Sequence, residues 1–304
     1  MLDGWRNVLR WPGMLAVILV LAMLPTVLYT TGEAAGPAAE GGGSLRFDWN
    51  AGLKHVQTYA AGIASGDSFR FFSGTNEYDF REQIGGYVGI SFGYLAAGAL
   101  AGTAIGILLG IAFARAKRDG WTRAIEMVGA LPDFIIILFL QFAVVQIAKE
   151  TGVVVAKIAN VSADRSPAVA LPLASMIVIP ALYMIRNVAL HMRLTFAEDY
   201  IGTAKAKGLS KSYITFFHAL PNVLPFLKAD LHKFMSILMG NLFVVEYFYN
   251  VRGVTKLLHA DAFAPSGYQF ALVVNGLFTL MAMYAALYAL LRLFILGWEK
   301  VFAR

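Results

Sequence analysis

The amino-acid sequence predicts an all-α, polytopic membrane protein with six transmembrane helices. Of its 304 residues, 58% are hydrophobic and only 14% are charged, whereas about 25% of the residues in a soluble domain are charged. Long apolar runs recur along the chain, and about 20 helical residues are enough to cross the hydrocarbon core of a bilayer. Both observations disfavour a water-soluble globule.

The predicted spans follow in chain order. Six apolar segments cover residues 14–30, 87–114, 125–148, 167–190, 234–249 and 268–296. Residues 1–30 are expected to form a cytoplasmic tip with the first span. Residues 87–296 are expected to form a core of five spans, and residues 297–304 a cytoplasmic tail. Residues 31–86 are rich in glycine, alanine and acidic side chains and predict an extracytoplasmic loop.

The distribution of lysine and arginine predicts the orientation of the chain. Of these 25 residues, 16 fall on the side of both termini and 9 on the opposite side. Because positive charge concentrates in cytoplasmic loops, both termini are expected in the cytoplasm. The net charge of +6 is attributed to the lysine and arginine residues that set the orientation in the membrane. No nucleic-acid partner is therefore expected. Arg6, Arg10 and the first apolar run also fit a cleavable signal peptide, which would leave five spans in the same orientation.

Glycine and cysteine usage adds two expectations. The second span has a glycine at every fourth position: Gly98, Gly102, Gly106 and Gly110. These glycines lie near one helix face and predict that another helix packs closely against it. A substrate path lined by bare backbone is the alternative. Cysteine is absent from the chain, which excludes disulfides, thiolate metal sites and cysteine nucleophiles.

The most polar cytoplasmic segment, residues 191–233, separates the fourth and fifth spans. Its centre predicts a short amphipathic helix with one small apolar face: Ala197, Ile201, Ala204 and Gly208. Glu198 and Asp199 fall in the first turn, where the helix dipole favours negative charge. Lys205 and Lys207 lie towards the other end, and Gly208 is a suitable stop.

Two interpretations of this short helix are open. A basic interfacial helix would lie on anionic lipid headgroups. A docking helix would insert its small face into a groove on a cytoplasmic partner. A membrane-surface helix would present Leu, Phe or Trp where this helix presents Ala and Gly, so the residue types favour a partner.

At these residues the chain resembles the inner-membrane permease subunits of binding-protein-dependent ABC importers. The family signature has a small residue, a glycine four positions later, and a Leu-Pro pair twelve and thirteen positions after that glycine. The matching residues here are Ala204, Gly208, Leu220 and Pro221. The residue types at positions 198–200, 203–210 and 218–222 are most similar to those of the dipeptide, oligopeptide and nickel branch.

The resemblance implies a permease fold in the bacterial plasma (inner) membrane and a mechanism. The short helix would act as a coupling helix in a cleft of a cytoplasmic ABC ATPase, whose closure on ATP tilts the membrane helices. The implied docking residues are Glu198, Asp199, Tyr200, Ile201, Ala204, Lys207, Gly208 and Leu209. A second permease subunit, identical or different, would complete the path. An extracytoplasmic solute-binding protein would deliver a di- or oligopeptide or a nickel or other metal complex.

The chain itself is not expected to be an enzyme or to bind a cofactor. Its nearest approach to a phosphate loop, residues 208–212, lacks the second glycine before the lysine, so ATP and Mg are expected on the partner ATPase. His232 with Asp230 supplies only two metal ligands, too few for a metal site. An ion-coupled secondary carrier is the alternative function, but it predicts an internal inverted repeat, and none is visible.

Polar groups within the predicted spans are costly in lipid and face protein or water. The candidates for the translocation path or its gate are Asp133, Asn241 and Glu246. Hydrogen bonding between helices is the alternative interpretation for each. Some residues depart from the resembled pattern: Asp133 replaces a small hydroxyl residue, Gly202 replaces a glutamate, and Lys228, Asp230, His232 and Lys233 replace mostly apolar residues.

Overall fold

The computed structural model describes residues 2–29, 47–116, 120, 127–160, 168–264 and 267–302, with the side chains of the first helix described over residues 13–28. In chain order the helices are α1 Leu2–Tyr29, α2 Trp49–Ser65, α3 Phe80–Arg115, α4 Asp133–Thr151, α5 Ala170–Phe196, α6 Asp199–Ala206, α7 Lys211–Tyr213, α8 Leu220–Ala229, α9 Leu231–Phe248, α10 Val254–His259 and α11 Phe270–Phe302. A 3-10 turn covers Asp67–Phe69, and Ile214–Ala219 is π-helical.

Two short antiparallel hairpins complete the described secondary structure. Strand β1 Arg70–Ser73 pairs with β2 Asn76–Asp79, with Arg70 opposite Asp79. Strand β3 Phe263–Ala264 pairs with β4 Gly267–Tyr268. The chain divides into two compact units. The first, unit 1, contains Met1–Val88 and Gly253–Ala282, and the second, unit 2, contains Gly89–Arg252 and Met283–Arg304.

Unit 1 is built where α1, α2 and the start of α11 pack together. Its buried apolar residues are Ala22, Met23, Val27, Phe270 and Val274. Gly52 of α2 lies so close to α1 that an added Cβ would be 2.7 Å from Met23 Cε. The amide of Asn275 donates to Ser68 O at 2.8 Å and its oxygen accepts from Tyr59 Oη at 2.8 Å. These buried bonds join α11 to the segment around α2.

Residues 31–86, the predicted extracytoplasmic loop, contain secondary structure that the sequence did not predict. Part of that segment, residues 31–46, lies outside the described residues. The remainder contains α2, the β1–β2 hairpin and the first turns of α3. Asp48 starts α2 by accepting hydrogen bonds from the backbone N–H groups of Asn50 and Ala51, which is the ordinary chemistry of a helix N-cap. The apolar face of α2 then packs on α1.

Unit 2 is a bundle in which α5 is central. The glycine face of α3 packs on α5, as its spacing predicts. An added Cβ at Gly98 would overlap Met176, and one at Gly106 would overlap Met184. Helix α9 packs against both α4 and α5. The close approach of α3 therefore depends on bare backbone at the glycine positions.

The membrane spans are confirmed in part. Within the described residues, α3, α4, α5 and α11 are long and apolar enough to cross a membrane. The structure also has helices at the first and fifth predicted positions, α1 and α9. The third predicted span started at residue 125, but α4 begins at Asp133, directly after Pro132 in an extended conformation. Asp133 is therefore the first residue of a helix and does not lie inside one.

Candidate functional site

The segment between α5 and α9 contains the predicted short helix as α6. Glu198 precedes the helix with extended backbone angles, and Asp199 occupies its first turn. The helix ends at Ala206, and Gly208 has a φ of +76°. This left-handed conformation suits glycine because a Cβ would be strained there. The predicted helix and its stop are thus present, and most of the segment 191–233 is helical.

The predicted small apolar face of this helix is wrong in its extent and in its contacts. Ile201 and Ala204 are buried, with exposed fractions of 0% and 6%, and α6 packs on the chain's own π-helical segment. Ala197 and Gly208 are exposed and lie outside the helix. The physical reason is that a two-turn helix on a protein surface buries its apolar positions against its own chain.

The opposite side of α6 is exposed and defines the surface available to another molecule. We call it the outer face of α6, and it consists of Asp199, Tyr200, Gly202, Thr203 and Ala206. Lys207 and Leu209 are exposed directly after the helix. An added Cβ at Gly202 would meet no atom within 4 Å. This position could carry a larger side chain without disturbing the fold.

Residues 210–229, which follow α6, form a support for it. Ser210 Oγ accepts a hydrogen bond from Tyr213 N at 3.2 Å and so caps the next helix. Leu220 is fully buried and Pro221 is half-buried at the start of α8. Asn222 Nδ2 donates to Tyr200 Oη at 3.0 Å, and partial burial raises the pKa of Tyr200. The Leu-Pro pair therefore belongs to the support and not to the exposed surface.

Two contacts join this support to the end of α11. Lys228 Nζ of α8 lies 2.6 Å from Glu299 Oε2. The rings of Phe216 and Phe302 stack with centroids 5.5 Å apart. Sequence reasoning flagged Lys228 only as a departure from the resembled pattern and did not find its partner. The sequence feature that could have indicated a partner is the position of this lysine in an otherwise apolar stretch.

Asp230 and His232, which also depart from the resembled pattern, have partners within unit 2 as well. Asp230 Oδ2 accepts from Tyr183 Oη at 3.1 Å and from Asn187 Nδ2 at 2.6 Å. The His232 ring Nδ1 lies 2.7 Å from Tyr284 Oη. Both residues therefore join helices. Within the described residues, no group of three or more His, Cys, Asp or Glu side chains could hold a metal ion.

Glu246 and Asn241 are both completely buried. Ser91 Oγ of α3 donates to Glu246 Oε1 at 2.5 Å, so the carboxyl group links α3 to α9. Asn241 Nδ2 donates to Ser175 O of α5 at 3.2 Å. For both side chains these contacts favour the alternative interpretation, hydrogen bonding between helices. Neither side chain reaches an open surface of this chain.

Asp133 has a different environment from the other two path candidates. It is half-buried and lines a cavity of about 230 Å³ together with Arg186 and Lys233. Sequence reasoning named Asp133 as a path candidate and Lys233 as a departure from the resembled pattern, but it did not bring these two residues and Arg186 together. Their side chains come from α4, α5 and α9.

Long apolar helices with buried polar links between them define a polytopic membrane protein. Residues 102–304 match the family described as binding-protein-dependent transport system inner membrane component. The match covers more than half of the chain, and the chain belongs to that family. It is therefore a permease subunit of an ABC importer. A comparison with curated proteins gives no match.

Proposed function

We propose that this chain is the permease of an ATP-driven importer in which α6 is the coupling helix for a cytoplasmic ATPase. The observation that carries this proposal is the outer face of α6, which is exposed while Ile201 and Ala204 anchor the helix to its own chain. A helix fixed on one side and exposed on the other can transmit a force from a partner to the membrane helices. The docking surface in this proposal is the outer face and not the small face that the sequence favoured.

The charge and size of the outer face support a groove on a protein partner. Tyr200 is its largest side chain and is 43% exposed. Asp199 gives the start of the helix a negative charge, and Lys207 gives its end a positive charge. Tyrosine is enriched among the residues that dominate binding at protein interfaces, and docking of a helix in a partner's groove is a recurrent mode of recognition. A helix lying on lipid would instead need a row of large apolar side chains on this face.

The direction of force in this proposal follows the contacts of the support. Motion of α6 would reach the π-helical segment through the packing between them and would reach α8 through the Asn222 to Tyr200 hydrogen bond. From α8 it reaches α11 through Lys228 and Glu299. The ATPase stroke would therefore act on the inner end of the last helix as well as on α5 and α9.

The proposed topology has six spans with both termini in the cytoplasm. It is supported by helices at all six predicted positions and by the concentration of lysine and arginine on one side. The proposed path lies between this chain and a second permease subunit, identical or different. The proposed cargo is a di- or oligopeptide or a nickel or other metal complex, delivered by an extracytoplasmic binding protein, because residues 198–210 resemble that branch.

Two matched glycine substitutions test the docking role. We expect Gly202→Trp to lower uptake and binding-protein-stimulated ATP hydrolysis by at least about tenfold, because the indole blocks a docked surface. Gly297→Trp is the control, since an added Cβ at Gly297 of α11 also meets no atom within 4 Å. Both variants are assayed in proteoliposomes with the cognate ATPase and binding protein. Normal coupling in Gly202→Trp would contradict the proposal, and uptake that needs no ATPase would support the secondary carrier instead.

A further inference from the structure

The start of α9 contains a cation that the preceding contacts do not explain. Of the four polar departures at residues 228–233, three have partners in the chain: Lys228, Asp230 and His232. Lys233 is exposed, and its Nζ lies 5.5 Å from the centroid of the Tyr183 ring. Among the residues that the structure describes, no carboxylate lies within 4 Å of Lys233 Nζ.

Lys233 lines the cavity that also contains Asp133 and Arg186. The described salt bridges include none for Arg186 either. The remaining wall is mostly apolar: Leu131, Ile136, Ile179, Leu182 and Ile237. An adjoining cavity of about 340 Å³ shares Tyr183, Arg186 and Lys233 and adds Arg193 and Asp230. Two cationic residues therefore line a space whose wall is otherwise mostly apolar, and the half-buried Asp133 lines the same space.

Charged side chains on membrane helices are stable where they face water, protein or a bound counter-charge. A guanidinium and an ammonium that line one cavity attract an oxyanion, and a low-dielectric wall strengthens that attraction. Asp133, which lines the same cavity, attracts a cationic group. Together the three charges fit a zwitterionic group in which a primary ammonium, which can donate hydrogen bonds to Asp133, lies near a carboxylate or phosphate.

We infer that this cavity binds a zwitterionic group, with its oxyanion between Arg186 and Lys233 and its ammonium on Asp133. The inference deepens the proposed function, because a cargo molecule passing the inner ends of α4, α5 and α9 would meet these residues. The apolar wall then accepts an uncharged side chain of the bound molecule. The same chemistry has two sources, a dissolved peptide-like solute or a phospholipid headgroup.

The test measures binding without ATP, using the full-length permease complex in nanodiscs of phosphatidylcholine. The probes are the dipeptide alanyl-leucine and its C-terminal amide, which lacks the carboxylate. We expect the dipeptide to bind and the amide to bind about tenfold more weakly, because only the carboxylate can pair with both cations. Lys233→Gln and Arg186→Gln should each weaken dipeptide binding by about tenfold. Lys300→Gln, an exposed cation outside the cavity, should change binding by less than about twofold.

A second arm identifies the source of the group. Nanodiscs with phosphatidylethanolamine in place of phosphatidylcholine present a primary ammonium beside the phosphate. If the dipeptide does not bind, but phosphatidylethanolamine raises the thermal midpoint of the wild type and not of Lys233→Gln or Arg186→Gln, the bound group is a lipid headgroup. If neither dipeptide binding nor the effect of phosphatidylethanolamine on the thermal midpoint depends on Arg186 and Lys233, the inference is wrong. Intact ATPase coupling in the same preparation would show that the proposed function survives that result.

Discussion

The inner and outer faces of α6 differ in what they contact. On the inner face, Ile201 and Ala204 are buried against the π-helical segment that follows. On the outer face, Gly202 and Thr203 are exposed. The inner face thus fixes the helix in place, and the outer face is left to interact. The comparison teaches that small apolar residues of a short surface helix can serve the chain's own packing, so that only the other side of the helix is open to the proposed partner.

The largest expected effect is on the inner face. We expect Ile201→Ala to lower the free energy of unfolding by about 3 kcal/mol, because it leaves a cavity under a fully buried side chain. Leu209→Ala is the control on the exposed side and should cost about 0.5 kcal/mol. Thermal unfolding in detergent measures both. Equal costs for the two variants would show that α6 is not anchored through Ile201.

A smaller effect on stability is expected from alanine substitutions at two glycines of the same segment. Gly208→Ala should destabilise the chain by about 1 kcal/mol, because alanine is strained at a φ of +76°. Gly202→Ala should stabilise it by about 0.5 to 1 kcal/mol, because this glycine lies inside a helix with open space around it. The two shifts in the thermal midpoint should have opposite signs. Shifts of the same sign would mean that α6 ends elsewhere.

The smallest effect concerns the link from the support to α11. A double-mutant cycle with Lys228→Met and Glu299→Gln should give a coupling energy of about 0.5 to 1 kcal/mol, because the two side chains are only partly exposed. Chemical or thermal unfolding of the four proteins gives this value. The coupling should fall in high salt, and a value of zero would remove Lys228 from the proposed route of force.

The sequence predicts the parts of this molecule that follow local rules. The glycine face of α3 and the end of α6 at Gly208 both depend on residues close in the chain. The direction in which Ile201 and Ala204 face could not be predicted, because a small apolar stripe looks the same whether it meets a partner or its own chain. The contact of Lys228 with Glu299 could not be predicted either, because the two residues are far apart in the sequence.

The segment around α2 was predicted to be a loop for a related reason. Polar groups of this segment are satisfied by distant residues: Tyr59 Oη donates to Asn275 Oδ1, and the Gln269 side chain bonds to both the backbone N–H and the C=O of Phe72. Such contacts leave no periodic signal within the segment itself. The cavity at Asp133 is similar, since it joins residues of three helices, although Asp133 and Lys233 each stood out as departures.

The most direct test of the coupling role uses the absence of cysteine from the chain. Thr203→Cys places one thiol on the outer face of α6, and Ala204→Cys places one on the buried inner face. After treatment of membranes with a short maleimide photo-crosslinker, the account predicts that the thiol at position 203 crosslinks to the ATPase subunit and that the thiol at position 204 does not. Crosslinking of position 203 to lipid alone, in a complex that still hydrolyses ATP in response to the binding protein, would contradict the account.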